Sequence, residues 1–173
     1  TFTIREGVTY SDGSPLTPEN VAKNFDLFGL GDEARTLPVS EQISNYERSE
    51  VLDEHRVRFH FSAPSPGFAQ ATSTMNAGLL ADSTLDLDAE GFGPGGATQI
   101  HTCGPFHITA ETIGTKLSVR AREDYDWAPP HLKHQGRPHL DGIDYLTNNE
   151  YSVRIGAVLS GQADGVRDVQ APD

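Results

Sequence analysis

TFTIREGVTYSDGSPLTPENVAKNF, residues 1–25, reads as a strand, a tight turn and the start of a helix in succession. Thr1 to Ile4 alternates apolar and polar residues, the period of a half-buried strand. Ser11-Asp12-Gly13-Ser14-Pro15 is a dense turn signal, because Gly tolerates positive φ and Pro and Asp favour turn positions. Thr17 then suits an N-cap, Pro18 the first helical position, and Glu19 the positive end of the helix dipole. Val21, Ala22, Phe25 and Phe28 fall on one helical face, and Gly29 to Gly31 is expected to end the helix.

Working outward, residues 32–42 look polar and irregular. Val51-Leu52 and His55 to Phe61 read as paired strands turning at Asp53-Glu54. In the second, Val57, Phe59 and Phe61 share one face, and Arg56, Arg58 and His60 the other. A short helix is expected over Phe68 to Ser73. The acidic stretch Asp82 to Glu90 reads as a solvated face, followed by the loop Gly91-Phe92-Gly93-Pro94-Gly95-Gly96. Phe106-His107-Ile108 and Lys116 to Arg122 form a second hairpin around Ile113-Gly114-Thr115, with Leu117, Val119 and Ala121 on one side. After the Pro- and His-rich loop Asp126 to Arg137 come a strand at Ile143 to Leu146, an amphipathic helix at Glu150 to Leu159, and a last strand at Ala163 to Val166. This order predicts a mixed α/β domain, α+β in character, with substantial antiparallel sheet.

Composition narrows the function classes. With 173 residues, 36% hydrophobic and 22% charged, the chain has enough apolar content to bury a core. Its formal net charge of -12 repels phosphate backbones, which argues against nucleic acid and against a basic membrane-surface patch. No apolar run approaches the roughly 20 residues a spanning helix needs. A single cysteine, Cys103, leaves no internal disulfide and no multi-Cys metal site. The chain opens inside a strand at Thr1 and stops after a short apolar run, so it is expected to be an internal piece of a longer protein.

Several residue groups could carry chemistry. Cys103 and His107, in Cys-Gly-Pro-Phe-His, could pair as thiolate and base, although a lone Cys more often simply packs. His131, His134 and His139 cluster in one loop, but none stands at i, i+4 on a helix, so the expectation is no metal. Gly93-Pro94-Gly95-Gly96 lacks the Lys-Ser/Thr of a phosphate loop, and the acidic stretch lacks EF-hand spacing. Asp124-Tyr125-Asp126-Trp127 is either a ligand platform or a tether that buries its aromatics where a hairpin exits into a loop; the tether is favoured.

In its opening, Arg5, Gly7, Val8, Tyr10, the turn residues Ser11, Asp12, Gly13 and Pro15, Leu16, Thr17, Glu19 and Val21 resemble the peptide/nickel class of extracellular solute-binding proteins that feed ABC importers. Asn20 stands where that family usually has an acid. Further matches follow in order: Val57 to Pro64 with Phe68, then Thr102-Cys103-Gly104-Pro105-Phe106, then Arg122 to Trp127 with Tyr125, then Leu140-Asp141-Gly142-Ile143 and Ser160-Gly161-Gln162-Ala163-Asp164. The resemblance covers essentially the whole chain.

The resemblance implies part of the first lobe of a bilobal, type II periplasmic-binding-protein fold. Residues 1–173 would hold most of that lobe, with an extra subdomain over roughly 18–120 and 121–173 returning to the main sheet before the crossover. The second lobe would be absent, in a chain roughly three times longer. It implies a binding protein and no enzyme, with no cofactor. The expected solute is an oligopeptide or dipeptide. Expected partners are importer permease subunits, in an extracytoplasmic location, periplasmic or held by a lipid anchor elsewhere in the protein. Leu37, Pro38 and Val39, with Thr74, Met75 and Asn76, would face the cleft. Alternatives are nickel, haem or another small solute on the same scaffold, an adhesin or receptor built on it, or an unrelated Cys/His hydrolase or metalloprotein.

Overall fold

The structure, a computed structural model, describes residues 1–41, 43–74 and 77–169. Two three-stranded antiparallel sheets carry the fold. The first has order β1-β3-β2, built from β1 (Phe2–Thr3), β2 (Tyr46–Asp53) and β3 (Arg56–Phe61). The second has order β4-β5-β6, from β4 (Phe106–Thr112), β5 (Lys116–Ala121) and β6 (Gly142–Leu146). Helix α1 (Pro18–Leu30) lies against β2 and β3. Short helices α2 (Phe68–Ala71) and α3 (Asp82–Leu85) and a 3₁₀ turn at Ala97–Gln99 lead to the second sheet, and α4 (Tyr151–Leu159) follows β6.

Helix α1 starts as its sequence dictates. Thr17 Oγ1 accepts the Asn20 backbone N–H at 3.2 Å, and Pro18 occupies the first turn. Its end falls within the expected Gly29 to Gly31 stretch: Gly29 lies in the last turn and the cap is Gly31 at φ 69°. Gly29 also answers a close approach: a Cβ there would stand 2.2 Å from the Tyr46 ring, so glycine lets the helix seat on β2.

The first core is aromatic. Phe25 packs on Phe59 with ring centroids 4.6 Å apart, and Phe59 on Phe68 at 5.1 Å; Phe2 and Phe61 close the cluster edge-on to Phe68. Val57, Phe59 and Phe61 face this core as the alternation predicted, and Arg56 and Arg58 face solvent. Each such ring pair contributes about 0.5–1.5 kcal/mol beyond the apolar area it buries.

Several expectations are corrected. The strand expected at Val51-Leu52 extends over Tyr46–Asp53, anchored by buried Tyr46. Asp82 to Glu90 is not simply a solvated face: α3 turns Thr84 and Leu85 inward, and Thr84 Oγ1 accepts His101 N–H while donating to Gln99 C=O, both at 2.8 Å. Ala163 to Val166 is no strand. Gln162 N–H and Ala163 N–H both donate to Ala157 C=O, so this segment caps α4 and has no ladder partner among the described residues. The amphipathic helix expected at Glu150 to Leu159 forms as α4, and none of its residues is fully buried. Residues 32–37 are a tight loop, in which Asp32 and Leu37 exchange backbone hydrogen bonds at 2.9 Å.

Phe2 in β1 pairs with Val57 in β3, and β6 pairs with β5 through Val119 and Ile143.

Two buried amides join α1 to the segment after α2. Asn24, with 0% exposure, donates to Leu80 C=O at 2.9 Å and accepts Leu80 N–H at 2.8 Å. Asn20 also donates to Leu80 C=O and to Asp82 Oδ1, each at 3.0 Å. A carboxylate at position 20 could not make these donations. Asn24→Ala removes both of its bonds to the part-buried Leu80 backbone, whose carbonyl keeps Asn20, and is expected to cost about 1–2 kcal/mol, read as a lower urea midpoint at unchanged m-value.

Candidate functional site

The motifs that looked separate in the sequence meet at one side chain. Arg122 leaves β5 and is 4% exposed. Its Nε donates to Asp124 Oδ1 at 3.0 Å, and Nη2 to Asp124 Oδ2 at 2.6 Å, a two-pronged pair. Nη1 donates to Thr9 C=O at 2.7 Å, and Nη2 also to Thr9 Oγ1 at 2.8 Å. The guanidinium lies 5.0 Å from the Trp127 ring centroid, a cation–π arrangement. The Arg122 hydrogen bond holds the Asp124 carboxyl below its usual range, against a smaller desolvation effect.

The other motif residues lock onto this node. Trp127 Nε1 donates to Cys103 C=O at 2.8 Å and its ring packs on Tyr125 at 5.0 Å, with both aromatics half-buried. Arg122 N–H donates to Pro105 C=O at 2.9 Å, securing the Gly104-Pro105 turn. Arg5 Nη1 donates to Trp127 C=O at 2.8 Å from the opening segment.

The Asp12-Gly13-Pro15 turn closes a small hairpin. Thr9 bridges Pro15, Tyr10 N–H donates to Ser14 C=O at 2.8 Å, and Gly13 takes φ 86°. Asp12 accepts the Ser14 backbone N–H at 2.9 Å and the Ser14 hydroxyl at 2.6 Å, and its second oxygen accepts the Ser83 hydroxyl of α3 at 2.5 Å. Partial burial works against its ionisation. The serine hydrogen bonds outweigh it, with a smaller attraction from His101, and the carboxyl falls to about 2.

The six expected cleft residues are only partly described. Met75 and Asn76 lie outside the described residues. Leu37, Pro38 and Val39 follow the tight loop after α1; Pro38 is exposed and Val39 is 51% exposed. Arg35 ties this loop to α3, with Nε on Asp32 Oδ2 at 2.6 Å and Nη1 on the Leu85 and Leu87 carbonyls. Thr74 Oγ1 donates to Ala71 C=O at 2.8 Å. An open groove of about 330 Å³ between α1 and α3 is lined by Leu27, Leu30, Asp32, Arg35 and Leu85, and a second of about 620 Å³ by Asp86, Asp88, Glu90 and the glycines after them. Leu37, Pro38, Val39 and Thr74 line neither of these two grooves.

The thiol and imidazole candidates do not assemble. Burial pushes the Cys103 thiol up, so it is a poor nucleophile, and His107 Nδ1 is buried without a hydrogen-bond partner among the described residues. His134 and His139 do come together, with ring centroids 3.9 Å apart, while His131 stays outside the pair. Among the described residues no three His, Cys, Asp or Glu side chains gather around one point, and no helix is long and apolar enough to cross a membrane.

Residues 1–173 match the family described as bacterial extracellular solute-binding proteins, family 5 Middle. The probable D,D-dipeptide-binding periplasmic protein DdpA of Escherichia coli (strain K12) is 29% identical over 140 residues, covering 77% of this chain and 25% of that protein. The solved structure of MoaA from A. tumefaciens R10 with mannopinic acid superposes with a TM-score of 0.75 at 21% identity, over 94% of this chain and 30% of that one. The oligopeptide-binding protein AppA of Bacillus subtilis, in complex with a nonapeptide, superposes with a TM-score of 0.73 at 19% identity, over 92% and 30%. At such identities the superpositions establish the fold, part of one lobe of a periplasmic-binding-protein architecture. The chain spans 25–28% of the length of the first curated relatives it matches.

Two outcomes test the node and the turn. Arg122→Leu removes every bond to Thr9 and Asp124 and is expected to cost roughly 3 kcal/mol; Arg122→Lys is expected to recover only part, because an ammonium cannot fork onto both acceptors. Chemical denaturation ranks the three proteins. For Asp12, a folded-state pKa of about 2 lies below the unfolded value, so its contribution is full above about pH 4 and is lost as pH falls toward 2. Asp12→Asn is expected to lose less stability than the wild type between pH 4 and pH 2, measured by thermal melts across that range.

Proposed function

Because this chain belongs to family 5 of the bacterial extracellular solute-binding proteins, we propose that the protein captures a peptide outside the cytoplasmic membrane and delivers it to an ABC-type importer. The observation that carries this reading is the family match over every residue from 1 to 173. The convergence of the motif residues on Arg122 supports it from the side of the structure.

A peptide is the preferred solute. The dipeptide and nonapeptide named for two of the proteins above support it, and extended ligands bind largely through main-chain hydrogen bonds, which leaves side-chain choice open. The mannopinic acid bound to MoaA makes a different small solute the second reading. Leu37 to Val39 and Thr74 to Asn76 are the proposed contribution of this lobe to the cleft. Val39 offers exposed apolar surface, and the residue types of Met75 and Asn76 suit an adaptable contact and a paired donor and acceptor. On this reading the protein binds its solute without transforming it, in keeping with a Cys103 thiol that burial makes a poor nucleophile. We further propose that residues from roughly 18 to 120 form the extra subdomain of this lobe and that 121–173 return to its main sheet. Permease subunits would read the loaded protein, held free in the periplasm or by a lipid anchor.

The test is a thermal-shift titration of the full-length protein against di- and oligopeptides. Saturating peptide is expected to stabilise by about 2.7 kcal/mol at a hundred times its Kd. A null result for all peptides, with a shift for an opine or a nickel complex, overturns the peptide assignment. Residues 1–173 alone are expected to bind the same peptide far more weakly.

A further inference from the structure

The loop between β5 and β6 holds an arrangement that solute capture does not use. The ring centroids of His134 and His139 stand 3.9 Å apart with planes inclined by 35°, and both residues are exposed. His134 Nε2 lies 2.7 Å from Arg137 C=O. A carbonyl only accepts, so Nε2 carries the hydrogen, and Nδ1 of the neutral ring keeps its lone pair. A backbone carbonyl that orients one ring nitrogen in this way is a recurrent support for metal-ligating histidines.

The loop is braced around the pair. Gln135 Nε2 donates to Pro129 C=O at 3.1 Å and to Leu132 C=O at 2.8 Å. Arg137 donates to Glu123 Oε1 at 2.9 Å and Asp141 Oδ1 at 2.8 Å, so its charge is matched by two carboxylates and does not set a net barrier to a cation. Two rings held in contact lose little further freedom on binding, and their exposure avoids a desolvation cost.

We propose that His134 and His139 form a surface site for a borderline divalent transition ion, with Cu²⁺ its strongest occupant. Two imidazole nitrogens on one ion, each at about 2.0–2.1 Å, lie about 3 Å apart, so the exposed rings pivot from face contact until their in-plane lone pairs converge. Water completes the coordination. Cu²⁺ should bind more tightly than Ni²⁺ or Zn²⁺ at a nitrogen site, and Mg²⁺ and Ca²⁺, which prefer oxygen, should not compete. The site is independent of the peptide reading.

The experiment is titration of untagged full-length protein with Cu²⁺, followed by calorimetry and by electron paramagnetic resonance. The expected result is an ion coupled to two nitrogens, with His134→Ala and His139→Ala each weakening binding at least tenfold and His131→Ala leaving it unchanged. Thermal melts of the variants confirm that the exposed loop substitutions preserve the fold. Binding that is unchanged in both His134→Ala and His139→Ala, or lost equally in His131→Ala, overturns the two-histidine site.

Discussion

Arg122 is a permanent cation removed almost entirely from water, and a buried guanidinium is tolerated only when its donors are met. Asp124, two residues on, answers Nε and one edge of the fork. The remaining acceptors come from far away in the chain: Thr9 supplies a carbonyl and a hydroxyl, and Trp127 supplies a ring face. The opening hairpin, the Gly104-Pro105 turn and the end of β5 must therefore all be in place before the charge is satisfied. That requirement ties the first segment of the chain to the second sheet across more than a hundred residues.

A second polar tie works on the other side of the opening hairpin. The Tyr10 hydroxyl donates to Asn20, whose amide reaches Leu80 and Asp82, and Asn24 completes the grip on Leu80. Asp12 reaches the same region through Ser83. The segment from Leu80 to Thr102 thus has little regular structure of its own, yet it is held by side-chain hydrogen bonds to α1 and to the opening turn. Arg35 extends this hold to the loop that precedes Leu37, Pro38 and Val39, so the proposed cleft stretch rests on a fixed base.

Local patterns in the sequence identified most elements because each depends on near neighbours. The Thr17 cap, the Pro18 start and the alternation in β3 require only residues a few positions apart, and all three appear as expected. What local pattern leaves out is decided by distant partners. Gly29 to Gly31 ends α1 as expected, but only the Tyr46 ring shows why position 29 is a glycine. The acidic run after Asp82 looked solvated, yet Thr84 turns inward because Gln99 and His101 offer it hydrogen bonds. Ala163 to Val166 reads as a short strand but finds no ladder among the described residues, and Ala157 draws its start into a helix cap.

The sequence by itself determined most of the elements, the aromatic core face and the family to which these motifs belong. Those properties are carried by residue type and short spacing. Only the tertiary structure decided why the motifs exist together: Arg122 needs Thr9, Asp124 and Trp127 at once, and Asn20 is a buried donor where an acid would fail. It also decided which of three clustered histidines meet, since the ring pair of His134 and His139 depends on how the Pro129 to Asp141 loop is braced. A linear pattern shows which groups are close along the chain, whereas buried charge and ring contact depend on which groups the fold brings within a few ångströms.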